Sequence, residues 1–199
     1  MMSLCGAVTN AEPICQTYAC LAYYAFEGNA DDASGHDRHA TASSGVSWVT
    51  GCHQGQALYL AGVASSYVDI SSEAWLADIT QWTAMAFVKC TVCYWVYGEN
   101  AASGSPHKNA LGVDLNKPFA NYPPGHGPAP APTGLADDAL DDVDTTWRHV
   151  AWVRESGTIY FYVDGVQACS EASESYTGGT PTINLMGWRK YGNGGRRPV

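Results

Sequence analysis

Charge is scarce in this chain. Only 15% of its 199 residues are charged, and 10 Lys and Arg stand against 19 Asp and Glu, giving a formal net charge of -9. A surface with so few cations repels a phosphate backbone, so nucleic acid is not an expected partner. Long apolar runs are missing as well. None approaches the roughly 18 residues that span a bilayer, because the longest candidates are broken by Lys89 or Arg154, and no membrane span is expected. Met1 to Tyr24 has no Lys or Arg and no clean apolar stretch ahead of a small-residue cleavage site, so it does not read as a signal peptide. Helical periodicity is hard to find, and there is no internal repeat.

What is present is apolar and aromatic. At 46% hydrophobic and 12% aromatic residues, the chain can bury one sizeable core, which fits a single all-β domain better than two. Cysteine is plentiful, with 7 residues: Cys5, Cys15, Cys20, Cys52, Cys90, Cys93 and Cys169. These suit disulfides in an oxidising compartment with one thiol left over, or else scattered reduced thiols, and both readings stand.

Short apolar runs and alternations are separated by Gly, Pro, Asn, Asp and Ser, a spacing that predicts an antiparallel β-sandwich or barrel. Strands are expected at Leu21 to Phe26, Gln56 to Leu60, Tyr67 to Ile70, Trp82 to Lys89, Tyr94 to Tyr97, Ala110 to Leu115 and Ile183 to Met186. The clearest local signal is a hairpin of Trp147 to Arg154 and Thr158 to Asp164, joined by Glu155-Ser156-Gly157 with Gly157 as the left-handed residue. With Arg154 facing Thr158, a core face carries Trp147, His149, Ala151 and Val153 with Ile159, Phe161 and Val163. The opposite face then carries Val150, Trp152, Tyr160 and Tyr162, too aromatic for a plain solvated surface. Between Pro118 and Gly134, the prolines Pro118, Pro123, Pro124, Pro128, Pro130 and Pro132 exclude a central strand and predict a long loop within the domain.

Three blocks, taken in order, resemble the laminin G-like jelly rolls of the concanavalin A-like lectin and glucanase superfamily. The first is Tyr23-Tyr24-Ala25-Phe26-Glu27-Gly28-Asn29 with Asp32-Ala33-Ser34-Gly35-His36, similar to the family's opening strand and turn. The second runs from Gly51 to Leu60 with Gly62, Ser66 to Ile70, and Trp82 to Lys89. The third is Trp147 to Val153 with Phe161-Tyr162-Val163-Asp164-Gly165. The resemblance covers about Leu21 to Gly187. It implies a sandwich over 21-199 preceded by a Cys-containing N-terminal extension over 1-20, with an extracellular or cell-surface location. The family's last strand does not follow Gly187, which would leave the first strand with an exposed edge unless Met1 to Cys20 or a neighbouring chain fills that place.

Catalysis has no sequence support. The Glu-x-Asp-x-x-Glu strand of the superfamily's glucanases is absent, Glu171-Ala172-Ser173-Glu174 reads as a solvated loop, and there is no Gly-x-Ser-x-Gly elbow. Related domains hold calcium, which needs oxygen ligands. The resemblance points to Gly28, Asp31 and Asp32, while Asp137, Asp138, Asp141, Asp142 and Asp144 form a second acidic run; the competing reading is Asx turns and solvated charge. Cys90-Thr91-Val92-Cys93 lacks a second ligand pair for zinc, and His36 and His39 read as part of a surface turn. For sugar binding, Trp152, Tyr160 and Tyr162 supply an aromatic platform with Arg148 and Arg154 on the same side, unless that stripe is a second core layer under the Pro-rich loop. Trp48, Trp75, Trp82 and Trp95 read as core. The expected function is a non-catalytic glycan-binding or adhesion module. A module binding an extracellular protein is the alternative, and a glycoside hydrolase the third reading.

Overall fold

The computed structural model describes residues 2–5, 20–51, 55–61, 66–70, 81–90, 95–100, 109–114, 117–121, 146–172 and 183–187. Among these described residues every regular element is a strand. In chain order they are β1 (Met2–Cys5), β2 (Thr41–Ala42), β3 (Val46–Thr50), β4 (Gln56–Leu60), β5 (Tyr67–Asp69), β6 (Trp82–Cys90) and β7 (Trp95–Asn100). There follow β8 (Asn109–Asp114), β9 (Lys117–Asn121), β10 (Arg148–Glu155), β11 (Thr158–Val163), β12 (Val166–Ala172) and β13 (Ile183–Gly187). All pair antiparallel, in a seven-stranded sheet of order β12-β11-β10-β6-β1-β4-β3 and a six-stranded sheet of order β2-β5-β13-β7-β8-β9.

The core lies between the two sheets. Leu58 and Leu60 of β4, Val88 of β6, Val150 and Trp152 of β10, and Ile159 and Phe161 of β11 meet Val68 of β5, with Ile70, Tyr24, Phe26 and Ala30 in the same cluster. Strands that bury one face alternate inward and outward residues, and β11 does so in order: Ile159 and Phe161 are buried, while Thr158, Tyr160 and Tyr162 are half-exposed.

The β10–β11 turn differs from the expected one. Ser156 (φ 50) and Gly157 (φ 76) are both left-handed, making a two-residue turn whose twist suits a hairpin, and Glu155 joins the ladder opposite Thr158. The register therefore moves by one residue: Arg154 faces Ile159, Trp152 faces Phe161 and Val150 faces Val163. A slip of one turns every side chain of β10 to the other face. The expected faces of β11 stand; those of β10 are exchanged.

Four further differences concern which segments form strands. Leu21 to Phe26 is not a strand but an irregular segment with a single bridge, Tyr24 to Asp32, because left-handed Phe26 (φ 59) and Gly28 (φ 82) bend the chain away from any ladder. Met2–Cys5, within the stretch set apart as an N-terminal extension, pairs with both β4 and β6 in the middle of the large sheet. Glu171 and Ala172 end β12, an edge strand, instead of lying in a loop. Pro118 falls in β9, the edge of the smaller sheet, where a residue without an N–H is tolerated. The rest of the Pro-rich stretch, the acidic run Asp137 to Asp144, Thr91 to Cys93, Trp75 and the residues after Gly187 lie outside the described residues. Cys20 is disulfide-bonded.

The opening segment is seated against β4. Glu27 Oε2 accepts a hydrogen bond from Gln56 N at 2.8 Å, and Gly55 (φ 72) lies so close that a Cβ there would collide with the Glu27 carboxylate. Gly55→Ala is therefore expected to cost about 1–2 kcal/mol, from the left-handed backbone and the displaced acid together, measured by urea unfolding.

Candidate functional site

Two places carry the residues that sequence singled out. The first is the opening turn. Asp32 is 7% exposed. Its Oδ1 accepts from Tyr23 N (2.9 Å) and Ser34 N (2.9 Å), and its Oδ2 from Ser34 Oγ (2.8 Å) and Arg38 N (3.1 Å). With Gly35 at φ 88, this is the Asx-type chemistry that Asp-Ala-Ser-Gly predicts. Burial alone would raise the pKa of Asp32, but the hydrogen bonds from Tyr23, Ser34 and Arg38 outweigh it and hold the carboxyl below its ordinary value. Nearby, the Tyr24 hydroxyl donates to the Arg38 carbonyl at 2.7 Å. Burial first and the Asp32 charge second push the phenol well above its usual range, against a smaller opposing pull from Arg38.

These four bonds fill the roughly four acceptor positions of a carboxylate, so Asp32 is spent on tying the turn together. Asp31 beside it is largely solvent-facing, its Oδ1 3.8 Å from His39 Nδ1. His39 Nδ1 also accepts a hydrogen bond from Asp32 N at 3.2 Å. Gly28 stands in its own turn against Gln56. Among the described residues no three His, Cys, Asp or Glu side chains stand close enough to share a metal ion.

The second place is the outward face of the seven-stranded sheet. The corrected register divides the five residues expected to bind sugar. Tyr160 and Tyr162 point outward and are half-buried. Trp152 is 1% exposed, with its ring centroid 5.2 Å from that of Phe161, and Arg154 is 7% exposed on the same inner face. Arg148 belongs to that face too and pairs with Asp164 at 2.7 Å. Asp164 Oδ1 also accepts from His149 N at 2.9 Å, which clamps the start of β10 onto the β11–β12 turn.

In place of Trp152 and the arginines, the ladder brings other side chains to the tyrosines. Ala151 lies between Met85 on β6 and Tyr162 on β11, and Val153 between Thr83 and Tyr160. His149 stands across from Phe87, with ring centroids 5.0 Å apart. A bulge after Phe161 sets Gln167 of β12 opposite Tyr162. Met85 is 59% exposed although it sits in mid-strand. The Thr83, Met85, Phe87 alternation is visible in sequence once the faces of β6 are known, whereas His149 becomes legible only with the two-residue turn. This face offers aromatic rings beside hydroxyl, imidazole and amide groups, the combination that holds the apolar side and the hydroxyls of a sugar.

No protein-family model and no curated protein matches the sequence. Solved structures share its fold. Domain 4 of AbnA, a GH43 extracellular arabinanase from Geobacillus stearothermophilus, in complex with arabinotriose, matches 86% of this chain and 84% of its own at 14% identity and a TM-score of 0.57. The binding domain of Paraclostridial Mosquitocidal Protein 1 matches at 11% identity and a TM-score of 0.53, covering 80% of this chain and 42% of the other. At such identities the likeness establishes the β-sandwich fold alone.

Proposed function

We propose that this chain is a non-catalytic carbohydrate-binding module of laminin G-like type that holds its glycan on the outward face of β6, β10 and β11. One observation carries the reading: the middle of the large sheet presents half-exposed aromatic rings and an exposed Met85 to solvent, where a two-layer sandwich ordinarily presents polar residues. Its likeness to a domain complexed with arabinotriose supports the same reading. Among the described residues of β6, β10 and β11 on this face, Glu155 is the one carboxylate, whereas retaining hydrolysis uses two about 5 Å apart. A disulfide at Cys20 suits an extracellular setting.

Calorimetric titration against a glycan panel that includes arabino-oligosaccharides tests the proposal. Tyr162→Ala and Tyr160→Ala are each expected to weaken binding about 10- to 100-fold, the usual effect of removing an aromatic anchor, with unfolding still cooperative. Unchanged affinity in both variants would remove the face from consideration. Release of reducing sugar by the intact chain would replace the module by a hydrolase.

Calcium enters this proposal through Asp31 and the Gly28 carbonyl, because the Asp32 oxygens are already engaged. Thermal unfolding with calcium and with a chelator reads it directly. A calcium-dependent rise in melting temperature that Asp31→Ala abolishes places the ion there; identical curves reject it.

A further inference from the structure

We infer, on the premise that the outward face binds glycan, that its ligand is an uncharged stretch of polysaccharide and that Ala151 sets the room for it. The first argument is the disposition of cations. Recognition of a uronate carboxylate favours the planar fork of arginine, which can pair with it through two parallel hydrogen bonds. Both arginines of β10 face inward, Arg148 onto Asp164 at 2.7 Å and Arg154 into the buried layer at 7% exposure. Along β6 and β10, the outward positions carry Lys89 near one end and Glu155 near the other, with Thr83, Met85, Phe87, Ala151 and Val153 uncharged between them. The net charge of -9 adds a long-range repulsion against any polyanion.

The second argument is the relief of the face. Ala151 is 6% exposed and is flanked by larger side chains on every side: Met85 and Tyr162 across the ladder, His149 and Val153 along its own strand. On this inference the small methyl floors a shallow trough between the strands of Met85 and Tyr162, whose backbones lie two strand spacings apart, about 9–10 Å. From β6 to β12 the face spans three such spacings, about 14 Å, which favours several linked sugars over a single residue.

The test compares the intact chain with neutral polymers (arabinan, xylan, mixed-linkage β-glucan) and acidic ones (polygalacturonate, alginate), by affinity electrophoresis and calorimetry at low and high salt. The expected result is binding to at least one neutral polymer, with an affinity that salt leaves unchanged. Ala151→Leu, which fills the trough, is expected to weaken that binding at least about tenfold, while Ala151→Gly retains it. Should Ala151→Leu unfold the sheet, Met85→Ala serves in its place: it removes an exposed wall and is expected to lower affinity about fivefold with an unchanged unfolding midpoint. Salt-sensitive binding to the acidic polymers alone overturns the inference while leaving the glycan-binding function standing. Folded protein that binds no polymer of either kind overturns that function as well. Wild-type affinity in both Ala151→Leu and Met85→Ala rejects the trough.

Discussion

Trp152→Ala is expected to lose about 3–5 kcal/mol of stability, a large part of the roughly 5–15 kcal/mol that holds a domain together. The indole is 1% exposed in the third strand of the large sheet, flanked in register by Ala84 and Phe161, so its removal leaves a cavity that rigid strands on both sides cannot close. Trp152→Phe is expected to cost far less. The Trp152 Nε1 donor is buried without a hydrogen-bond partner, and the change to Phe removes that unsatisfied group while keeping an aromatic ring against Phe161. Urea unfolding of the two variants measures the difference. A stable Trp152→Ala protein that had lost only glycan binding would instead place Trp152 on the ligand face and restore the three-residue turn.

Asp32→Ala is the second large effect, expected at about 3 kcal/mol, because it strands the amides of Tyr23, Ser34 and Arg38 at once in a half-buried turn. The same carboxylate governs the acid limb of stability. Its ionisation in the folded protein lies below the ordinary value of about 3.9 that it takes when unfolded. The unfolded chain therefore takes up the proton first as pH falls. The stabilisation is complete above about pH 4, declines as pH drops through the folded value, and is gone once both states are protonated. Asp32→Asn, which cannot titrate, is expected to be less stable at neutral pH and to show a flatter stability curve as pH falls below about 4. Equal acid slopes for the two proteins would move the sensitivity to another carboxylate.

The contrast between these two residues shows what can be read from sequence here. Asp32 was legible because its bonds to Ser34 are local: an acid two residues before Ser and three before Gly has few other ways to satisfy nearby amides. The alternation Ile159, Phe161 against Tyr160, Tyr162 likewise places β11 in the core without help from any neighbour. The face of Trp152 depended on one turn residue. Ser156 at φ 50 is a conformation serine seldom takes, and the choice between a two- and a three-residue turn decides whether Trp152 and Arg154 look inward or outward. Strands β1 and β12 were missed for a different reason. Met2–Cys5 is too short to show a period, and Val166–Ala172 is polar because an edge strand buries little. The sandwich could thus be read from the chain, and so could the outward placement of Tyr160 and Tyr162, while the other residues of that face followed from strand register.

The place of β1 has a consequence for how the molecule is made. Of the described strands it leaves the ribosome first, yet it is hydrogen-bonded on one side to residues ending at Leu60 and on the other to residues ending at Cys90. Until Cys90 has been synthesised, Met2–Cys5 has at most one of its two neighbours, and the centre of the large sheet cannot close. Joining segments so far apart along the chain costs loop entropy before any ladder is gained, which slows folding and leaves unpaired edges of β4 and β6 exposed meanwhile. The nascent chain is therefore most open to wrong pairing with its neighbours in the interval before this central strand docks.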